Sequence, residues 1–513
     1  MPTDPQTLPE NRQELVDLVK QQATQIEQLT AKVRWFEEQF HLARHKQFGA
    51  SSERSVKEQG ELFNEAEAIA EAGPTEEQIR QTITYERKKP GRKPIPKDIP
   101  IERIEYRLPE NEQVCDSCGG ALHEMSTELR HEVKLIPAQV RMVQHARYVY
   151  GCRNCEKNGI GVPIKTAVAP RPVIEKGLAS PSAAAYVMTM KFVEGVPLYR
   201  QEQHYARMGI ELSRGVLSNW MLKGSEWLEL IYGRLKQKLL EQGFLHADET
   251  TLQVLKEPGR AAESQSYIWL YRTGCVGPPI VLFEYQPSRA GEHPRKFLEG
   301  YRGYLQVDGY AGYHDIPNVT LAGCWAHLRR KFDEALKGLP PKQRTSGSKA
   351  QEALNQINRL FVIERELMQC MPEVRLKARL VRSQPLVETF KKWLDEMSTA
   401  VLPKSLFGLA VNYGRQQWPK LVRFLEDGRI ELSNNRAERS IKPFVIGRKN
   451  WLFANTPRGA RASAVIYSIV ESAKENRLNP YAYLAHLFEK LPNLDSRDDE
   501  ALDPLLPWNV SLQ

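Results

Sequence analysis

Apolar side chains recur every seven residues near the start of the chain, a pattern that predicts a helix with an apolar seam. The two seam positions hold Val19, Ile26, Val33 and Phe40, and Leu15, Gln22, Leu29 and Phe36. Because Gln22 is polar, it can fix the register of a paired helix. We expect residues 1–45 to form a coiled coil that joins two copies of the chain, most simply as a dimer. The alternative is an amphipathic helix packed on its own protein.

Residues 46–99 lack this periodicity and are predicted to be a linker of basic and acidic stretches. Its last part, residues 87–94 (RKKPGRKP), is basic and interrupted by proline. Such a strip is extended and suits a DNA minor groove or a row of phosphates. An equally good interpretation is a solvated linker.

Between residues 100 and 168 the composition shifts to β-formers, and residues 132–150 are predicted to form hairpin strands. Two CxxC pairs lie in this segment, formed by Cys115, Cys118, Cys152 and Cys155. Four thiolates suit one structural Zn²⁺ in a closed tetrahedral site. The alternative is a set of buried thiols, which a domain this small has little core to enclose.

Residues 169–238 are predicted to be helical and to contain a helix-turn-helix. A turn at residues 209–212 is followed by Ser213, a favourable N-cap for a helix over residues 214–223. That helix carries Arg214 and Asn219 as candidate DNA contacts, and a plain helical bundle is the alternative.

The next segments alternate between apolar strand-like runs and helical runs, which predicts an α/β sheet. Strands are expected at residues 245–255, 267–271, 280–285, 305–308 and 319–324. We divide this region into a first sheet part (residues 239–345), a helical insertion (346–430), a second part (431–475) and a helical tail (476–513). The fold class is therefore multidomain α/β.

Three carboxylates stand out in these segments. Asp248 lies on the first predicted strand, and Asp308 ends the fourth, so adjacent central strands could bring them together. Glu438 is the only acid between Ser433 and Arg461, in a stretch rich in arginine and lysine. Three carboxylates can hold two Mg²⁺ ions roughly 3.5–4 Å apart. The alternative for Glu438 is a surface salt-bridge cluster, which we disfavour because the cations have no acids nearby in sequence.

Composition and charge point to a nucleic-acid partner. The 513 residues carry a formal net charge of +9 and a pI of about 9.0, and a basic excess favours an anionic ligand. No apolar run approaches the length of a membrane span, and residues 1–22 lack a signal-peptide core. We therefore expect a cytoplasmic protein that has no membrane partner.

The motifs together resemble the DDE transposases of the insertion sequence sixty-six family, found on bacterial insertion elements. The matching segments are residues 246–250 (HADET), 307–310 (VDGY), 323–332 (GCWAHLRRKF), 434–439 (NNRAER) and 447–451 (GRKNW). The apolar heptads, the motif at residues 48–53 and the paired CxxC fit the same layout. The resemblance covers nearly the whole chain.

The resemblance implies a ribonuclease H-like catalytic core in which Asp248, Asp308 and Glu438 bind two Mg²⁺ ions, for which Mn²⁺ can substitute. It implies cleavage at transposon ends followed by strand transfer into target DNA, in association with the nucleoid. It also implies accessory proteins encoded by the same element. Besides the two helix-turn-helix residues, the candidate DNA contacts are Arg329, Arg330, Lys331, Arg436, Arg439, Lys442, Arg448 and Lys449. His327 is a candidate neighbour of the site or a satisfied buried histidine.

Two other functions fit the sequence. One is a metal-dependent nuclease or integrase with another substrate. The other is a non-catalytic DNA-binding regulator that uses the zinc ribbon and the helix-turn-helix, although the presence of all three carboxylates argues against it.

Overall fold

The computed structural model describes residues 12–48, 103, 138–152, 157, 164–344 and 347–512. The chain divides into two compact units, residues 1–73 with 145–513, and residues 74–144. The elements below belong to the first unit. No helix in the described part of the chain is long and apolar enough to cross a membrane.

Helices and strands follow one another in the order that the sequence predicts for a mixed α/β protein. The α-helices are α1 (Arg12–Phe48), α2 (Pro181–Phe192), α3 (Leu198–Arg207), α4 (Arg214–Leu240), α5 (Glu292–Phe297), α6 (Trp325–Gly338), α7 (Lys349–Glu366), α8 (Pro372–Arg382), α9 (Gln384–Ala400), α10 (Leu406–Leu421), α11 (Asn435–Trp451), α12 (Pro457–Glu475), α13 (Pro480–Lys490) and α14 (Asp499–Leu502). The strands are β1 (Val149–Gly151), β2 (Ile164–Thr166), β3 (Phe244–Gln253), β4 (Gln265–Thr273), β5 (Val281–Gln286), β6 (Gly303–Gln306) and β7 (Val319–Ala322).

Short polar side chains set where several helices begin. The predicted N-cap Ser213 accepts a hydrogen bond from the Val216 amide at the start of α4, and Thr456 accepts one from Gly459 at the start of α12. Each satisfies a backbone N–H that the first helical turn leaves without a partner. Helix α4 runs to Leu240, well beyond the predicted end at residue 223, because its later turns bury apolar side chains against the sheet domain.

The five-stranded sheet has the order β5-β4-β3-β6-β7. Strand β4 is antiparallel to both of its neighbours, β3 and β5, whereas β6 runs parallel to β3 and to β7. All five strands overlap runs that the sequence predicted, but β6 ends at Gln306, so the prediction that Asp308 ends this strand is wrong. The central strand β3 is therefore flanked by one antiparallel and one parallel neighbour.

The outer edge of β5 is covered by α12. The hydroxyl of Ser468 accepts a hydrogen bond from the Phe283 amide at 2.7 Å, and that of Ser472 accepts one from Val281 at 3.0 Å. These hydroxyls satisfy strand N–H groups that would otherwise be open to pairing with another chain. The helix thereby closes one side of the sheet.

Two hydrophobic clusters hold the first unit together. The larger one joins the sheet with α2, α4 and α11–α13. The smaller one forms where α7, α9 and α10 pack around α6, with Trp325 and Phe332 at its centre. The segment predicted as an insertion is thus helical and is anchored on the helix that follows β7.

Helix α1 contacts the rest of the unit through its C-terminal part. The Glu38 carboxylate accepts a hydrogen bond from the Leu406 amide at 3.0 Å, and Leu42 is buried. The seam side chains at positions 19, 26, 29, 33, 36 and 40 are instead 57–64% exposed. The helix therefore packs on its own chain through one face and leaves the heptad seam outward.

The predicted hairpin over residues 132–150 is wrong for the described residues 138–148, which form no strand. The hairpin that does form pairs β1 with β2 in antiparallel register, from Val149 opposite Thr166 to Gly151 opposite Ile164. Cys152 follows β1 directly. Cys115, Cys118 and Cys155 lie outside the described residues, as does the predicted linker from residue 49 to 99, whereas its residues 46–48 belong to α1.

Candidate functional site

The register of the sheet brings Asp248 and Asp308 together. Strands β3 and β6 are parallel neighbours, and their last pair is His246 opposite Gln306. Strand β6 ends at Gln306, and Asp308 follows it by two residues, whereas Asp248 lies on β3 itself. The charge of Asp308 acts on Asp248, so the two carboxylates lie near one another.

Glu438 reaches this face from the first turns of α11, which packs across β3 and β4. The helix start is fixed by Asn434, which is fully buried. Its side-chain Nδ2 donates to the Ala247 carbonyl at 2.9 Å, and its Oδ1 lies 2.8 Å from His246 Nδ1. Its backbone N–H donates to Cys324 Sγ at 3.1 Å. Asn434 thus ties the helix that carries Glu438 to the strand that carries Asp248.

The carboxylates lie close enough to influence one another. Burial, followed by the charges of Glu249, Glu438 and Asp308, raises the pKa of Asp248 well above its usual range. Burial also raises the pKa of Glu438, an effect that Arg330 opposes and Asp308 reinforces. Like charges raise each other's pKa values when they share a site. The structure therefore gathers the three residues that the sequence singled out.

Glu249, the competing carboxylate beside Asp248, is held elsewhere. Arg289 donates to its Oε1 through Nε at 2.8 Å, and the Tyr313 hydroxyl donates to its Oε2 at 2.5 Å. Arg289 and Tyr313 thus occupy the Glu249 carboxylate, although the charge of Asp308 also raises its pKa. Asp248 is the carboxylate whose pKa is raised by both Glu438 and Asp308.

Two residues of α6 lie against Glu438. Arg330 Nη2 is 3.3 Å from Glu438 Oε2, and His327 Nδ1 is 3.7 Å from Glu438 Oε1. Burial, followed by Arg330, lowers the pKa of His327 to about 4, although Asp308 opposes the shift. The imidazole is consequently neutral near pH 7 and can accept or donate a hydrogen bond.

The carboxylate oxygens of this site are the type of ligand that Mg²⁺ prefers. Glu438 Oε1 is buried and makes no hydrogen bond to any described residue. Among the described residues no three His, Cys, Asp or Glu side chains are placed to hold one metal ion. Mg²⁺ commonly takes one or two carboxylates and completes its shell with water and substrate phosphates.

The predicted DNA contacts differ in how far their side chains are exposed. Lys331, Arg439 and Lys449 are exposed, and Arg330, Lys442 and Arg448 are partly buried. Arg329 is only 2% exposed and donates to Asn358 Oδ1 at 2.8 Å, so its position supports packing and not a DNA contact. Arg214 and Asn219 are exposed on α4, and no hydrogen bond or ion pair in the described structure joins them to the three carboxylates.

The expectation that the cations near Glu438 lack acidic partners is wrong in part. Arg436 pairs with Glu431 at 2.6 Å, and Arg458 pairs with Glu226 at 2.8 Å. Arg448 is held by the Thr251 carbonyl and by the hydroxyls of Thr250 and Thr251. The expectation failed because Glu431 and Glu226 lie outside the basic stretch between Ser433 and Arg461, where acids were sought.

Several residues that shape the site were not singled out from the sequence. The Tyr413 hydroxyl donates to the Asp308 carbonyl at 2.6 Å, which brings α10 to the site. Gln306 Nε2 donates to the Gly323 and Glu431 carbonyls and so joins β6 to the starts of α6 and α11. Asn434 and His246 lie inside the motifs already noted. Their position within these motifs, next to Glu438 and Asp248, was the sequence signal that could have identified them.

Comparison with known proteins decides the family. Residues 176–462, more than half of the chain, match the family described as Transposase IS66 family. The chain belongs to the IS66 transposases. This confirms the resemblance to the insertion sequence sixty-six family, and membership implies a role in DNA transposition.

Three further regions of this transposase match models from the same family. Residues 112–156 match the zinc-finger binding domain of transposase IS66, which supports zinc binding in that segment. Residues 468–508 match the IS66 C-terminal element. Residues 35–104 match a region described as Transposase C of IS166 homeodomain.

Similar proteins include three from Sinorhizobium fredii (strain NBRC 101917 / NGR234). The uncharacterized protein y4jD is 33% identical over 81% of this chain and 81% of its own length. The uncharacterized protein y4hP is 29% identical over 90% of this chain and 86% of its own length. The uncharacterized protein y4qI is 31% identical over 82% of this chain and 78% of its own length. Their names assign no activity.

Proposed function

We propose that this IS66 transposase cleaves DNA at the ends of its insertion element and joins the freed strand to target DNA. In this proposal Asp248, Asp308 and Glu438 bind two Mg²⁺ ions in a ribonuclease H-like core. The observation that carries the proposal is the convergence of these carboxylates from β3, from the segment that follows β6, and from α11. The sheet order, with one antiparallel and one parallel neighbour of β3, supports the proposed core.

Bound Mg²⁺ would supply activation of the attacking oxygen and stabilisation of the leaving oxygen. In cleavage, a water oxygen forms a bond to the strand phosphorus while the bond to the 3′ oxygen breaks, leaving a 3′-hydroxyl. In joining, that hydroxyl oxygen bonds to a target phosphorus, and the target's own 3′ oxygen departs. Both steps are displacements at phosphorus, so a covalent protein intermediate is not needed.

The chain's own residues prepare this chemistry. Arg330, partly exposed beside Glu438, is placed to contact a DNA phosphate that approaches the carboxylates. Neutral His327 offers a hydrogen bond at the same position. Asn434 fixes the distance between the two elements that carry Asp248 and Glu438, and small displacements of catalytic groups reduce rates strongly.

The test is cleavage and joining of element-end DNA by the purified full-length protein with Mg²⁺. We expect Asp248→Asn, Asp308→Asn and Glu438→Gln each to lower cleavage by at least about 100-fold. Glu249→Gln is the matched control, because its carboxylate is held by Arg289 and Tyr313, and it should retain most of the cleavage if the thermal midpoint is unchanged. Unchanged cleavage in Asp308→Asn would refute the proposed roles, and cleavage without joining would support a nuclease.

The proposed function also includes a protein partner and a Zn²⁺ site. The outward heptad seam of α1 supports a homodimer, because an apolar stripe at heptad spacing on one helix is complementary to a second copy of itself. Cys115, Cys118, Cys152 and Cys155 are the proposed Zn²⁺ ligands within the matched zinc-finger segment. Accessory proteins of the same element and association with the nucleoid stay predictions.

A further inference from the structure

A cavity of about 320 Å³ lies between the end of α2 and one face of α11. The α11 face is formed by residues 439, 442, 443, 446, 447 and 450, which are spaced three and four apart as one side of a helix requires. The α2 side contributes residues 191–195. The cavity is separate from the carboxylate face, because Glu438 points to an adjacent side of α11.

The rim of the cavity is basic. Lys191, Arg439 and Lys442 line it together with a single acid, Glu194. Burial lowers the pKa of Lys191 to about 8 and also lowers the pKa of Lys442. Desolvated ammonium groups gain from a nearby anion, since an opposite charge favours their protonated form. The rim therefore suits a phosphate.

The floor of the cavity is aromatic and carries an unsatisfied donor. The rings of Phe192 and Tyr467 meet edge to face at 5.0 Å between centroids. Tyr467 is fully buried, and the Trp451 indole N–H approaches its hydroxyl oxygen as a donor. The hydroxyl proton itself finds no acceptor among the described residues. A buried donor without an acceptor carries an energetic penalty that a bound polar group would remove.

Glycine keeps this floor open. A Cβ added to Gly447 would lie 2.3 Å from the Tyr467 hydroxyl oxygen, and one added to Gly195 would lie 2.7 Å from Asn450 Nδ2. Any larger side chain at position 447 would fill the space in front of the hydroxyl. Asn450 is exposed at the mouth, so its amide can reach a ligand as it enters.

We propose that this cavity binds one nucleotide of a DNA strand, with its phosphate at the Lys191, Arg439 and Lys442 rim and its base against Phe192 and the Tyr467 hydroxyl. Ile446, near the middle of the lining, lies eight residues from Glu438, which corresponds to about 12 Å along the helix. That distance equals three to four base-pair steps. A strand held at the carboxylates can thus continue past Lys442 into the cavity. The inference rests on the proposed DNA-processing function and adds a subsite to it.

Binding can be measured without cleavage in full-length Asp308→Asn protein. The probes are fluorescein-labelled dT12 and an otherwise identical abasic 12-mer, followed by fluorescence anisotropy. We expect Asn450→Asp to weaken binding of both probes about 5- to 20-fold, because it adds a negative charge at the phosphate rim. Asn355→Asp, which makes the same change at an exposed position of α7, should stay within about twofold of the parent.

The floor is tested by Tyr467→Phe. Loss of one hydrogen bond to the base should weaken dT12 about 3- to 10-fold and leave the abasic probe unaffected. Tyr481→Phe is the control on α13. Equal dT12 affinity in Tyr467→Phe and its parent, or in Asn450→Asp and its parent, would overturn the proposed subsite. Failure of the wild-type protein to cleave element ends would instead reject the proposed function while these affinities still decide the cavity.

Discussion

Asn434 offers the sharpest test of how the site is assembled. Its side chain makes two buried hydrogen bonds, to the Ala247 carbonyl and to His246 Nδ1. Asn434→Ala removes both and leaves two buried polar atoms of β3 without partners. At about 1–3 kcal/mol for each unsatisfied group, the expected loss of stability is about 2–5 kcal/mol. For a unit of this size that corresponds to a fall of roughly 2–6 °C in the thermal midpoint.

The neighbouring Asn435 supplies the matched control. It is also buried, but neither atom of its amide makes a hydrogen bond to a described residue. Asn435→Ala therefore removes no partner from another group and should lower the midpoint much less. Differential scanning fluorimetry of both variants, with element-end cleavage below the lower midpoint, measures the two effects. We expect Asn434→Ala to reduce cleavage even where it is folded, because α11 is no longer tied to β3. Equal midpoints for the two variants, or wild-type cleavage by folded Asn434→Ala, would refute this reasoning.

Three further predictions concern other parts of the chain. Metal analysis should find one Zn²⁺ per chain, and Cys115→Ser should lower both zinc content and the stability of the matched zinc-finger segment; full stability without zinc would contradict it. Ile26→Lys with Val33→Lys should convert a dimer to a monomer in sedimentation analysis, whereas Gln21→Lys with Gln28→Lys, at exposed positions outside the seam, should not; an unchanged mass would exclude pairing through α1. Burial alone would raise the pKa of Glu431, but His246 and Arg436 hold it at about 2 against an ordinary value of 4.5. Its stabilising contribution should therefore be present above pH 4.5 and be lost as the pH falls toward 2, and Glu431→Gln should flatten that dependence of the midpoint; the same acid sensitivity in both proteins would show that Glu431 is not its source.

The sequence predicted the sheet well because its strands are short apolar runs with clear boundaries. It could place Asp248 on one strand and Asp308 near the end of a neighbouring strand, since parallel strands bring their carboxyl ends to one edge. It could not choose between Asp248 and Glu249, because that choice depends on Arg289 and Tyr313, which arrive from distant segments. The offset of 60 between β3 and β6 became visible only through their hydrogen-bonded register.

Long-range polar partners account for most of the remaining differences. The ion pair of Arg458 with Glu226 joins segments that no local pattern relates, and that of Arg436 is made with Glu431 just before the basic stretch, so this stretch looked more available for DNA than it is. The burial of Arg329 follows from the packing of α7 on α6, which periodicity in a single helix does not reveal. Helix α1 was predicted, but its attachment through Glu38 was not, because a hydrogen bond to a backbone amide leaves no compositional trace.

The attachment of α1 has a consequence for the spacing of two copies of the chain in a dimer. The helix has 37 residues, a rod of about 55 Å, and its C-terminal part is fixed to the unit that carries the three carboxylates. In a dimer formed along the seam, the length and phase of this rod would set the separation and mutual orientation of the two reaction centres. Inserting seven residues into α1 would lengthen the spacer and preserve its phase, whereas inserting four would shift the seam around the rod. The distance between two DNA ends that the assembly can engage at once would then be encoded in the heptad count.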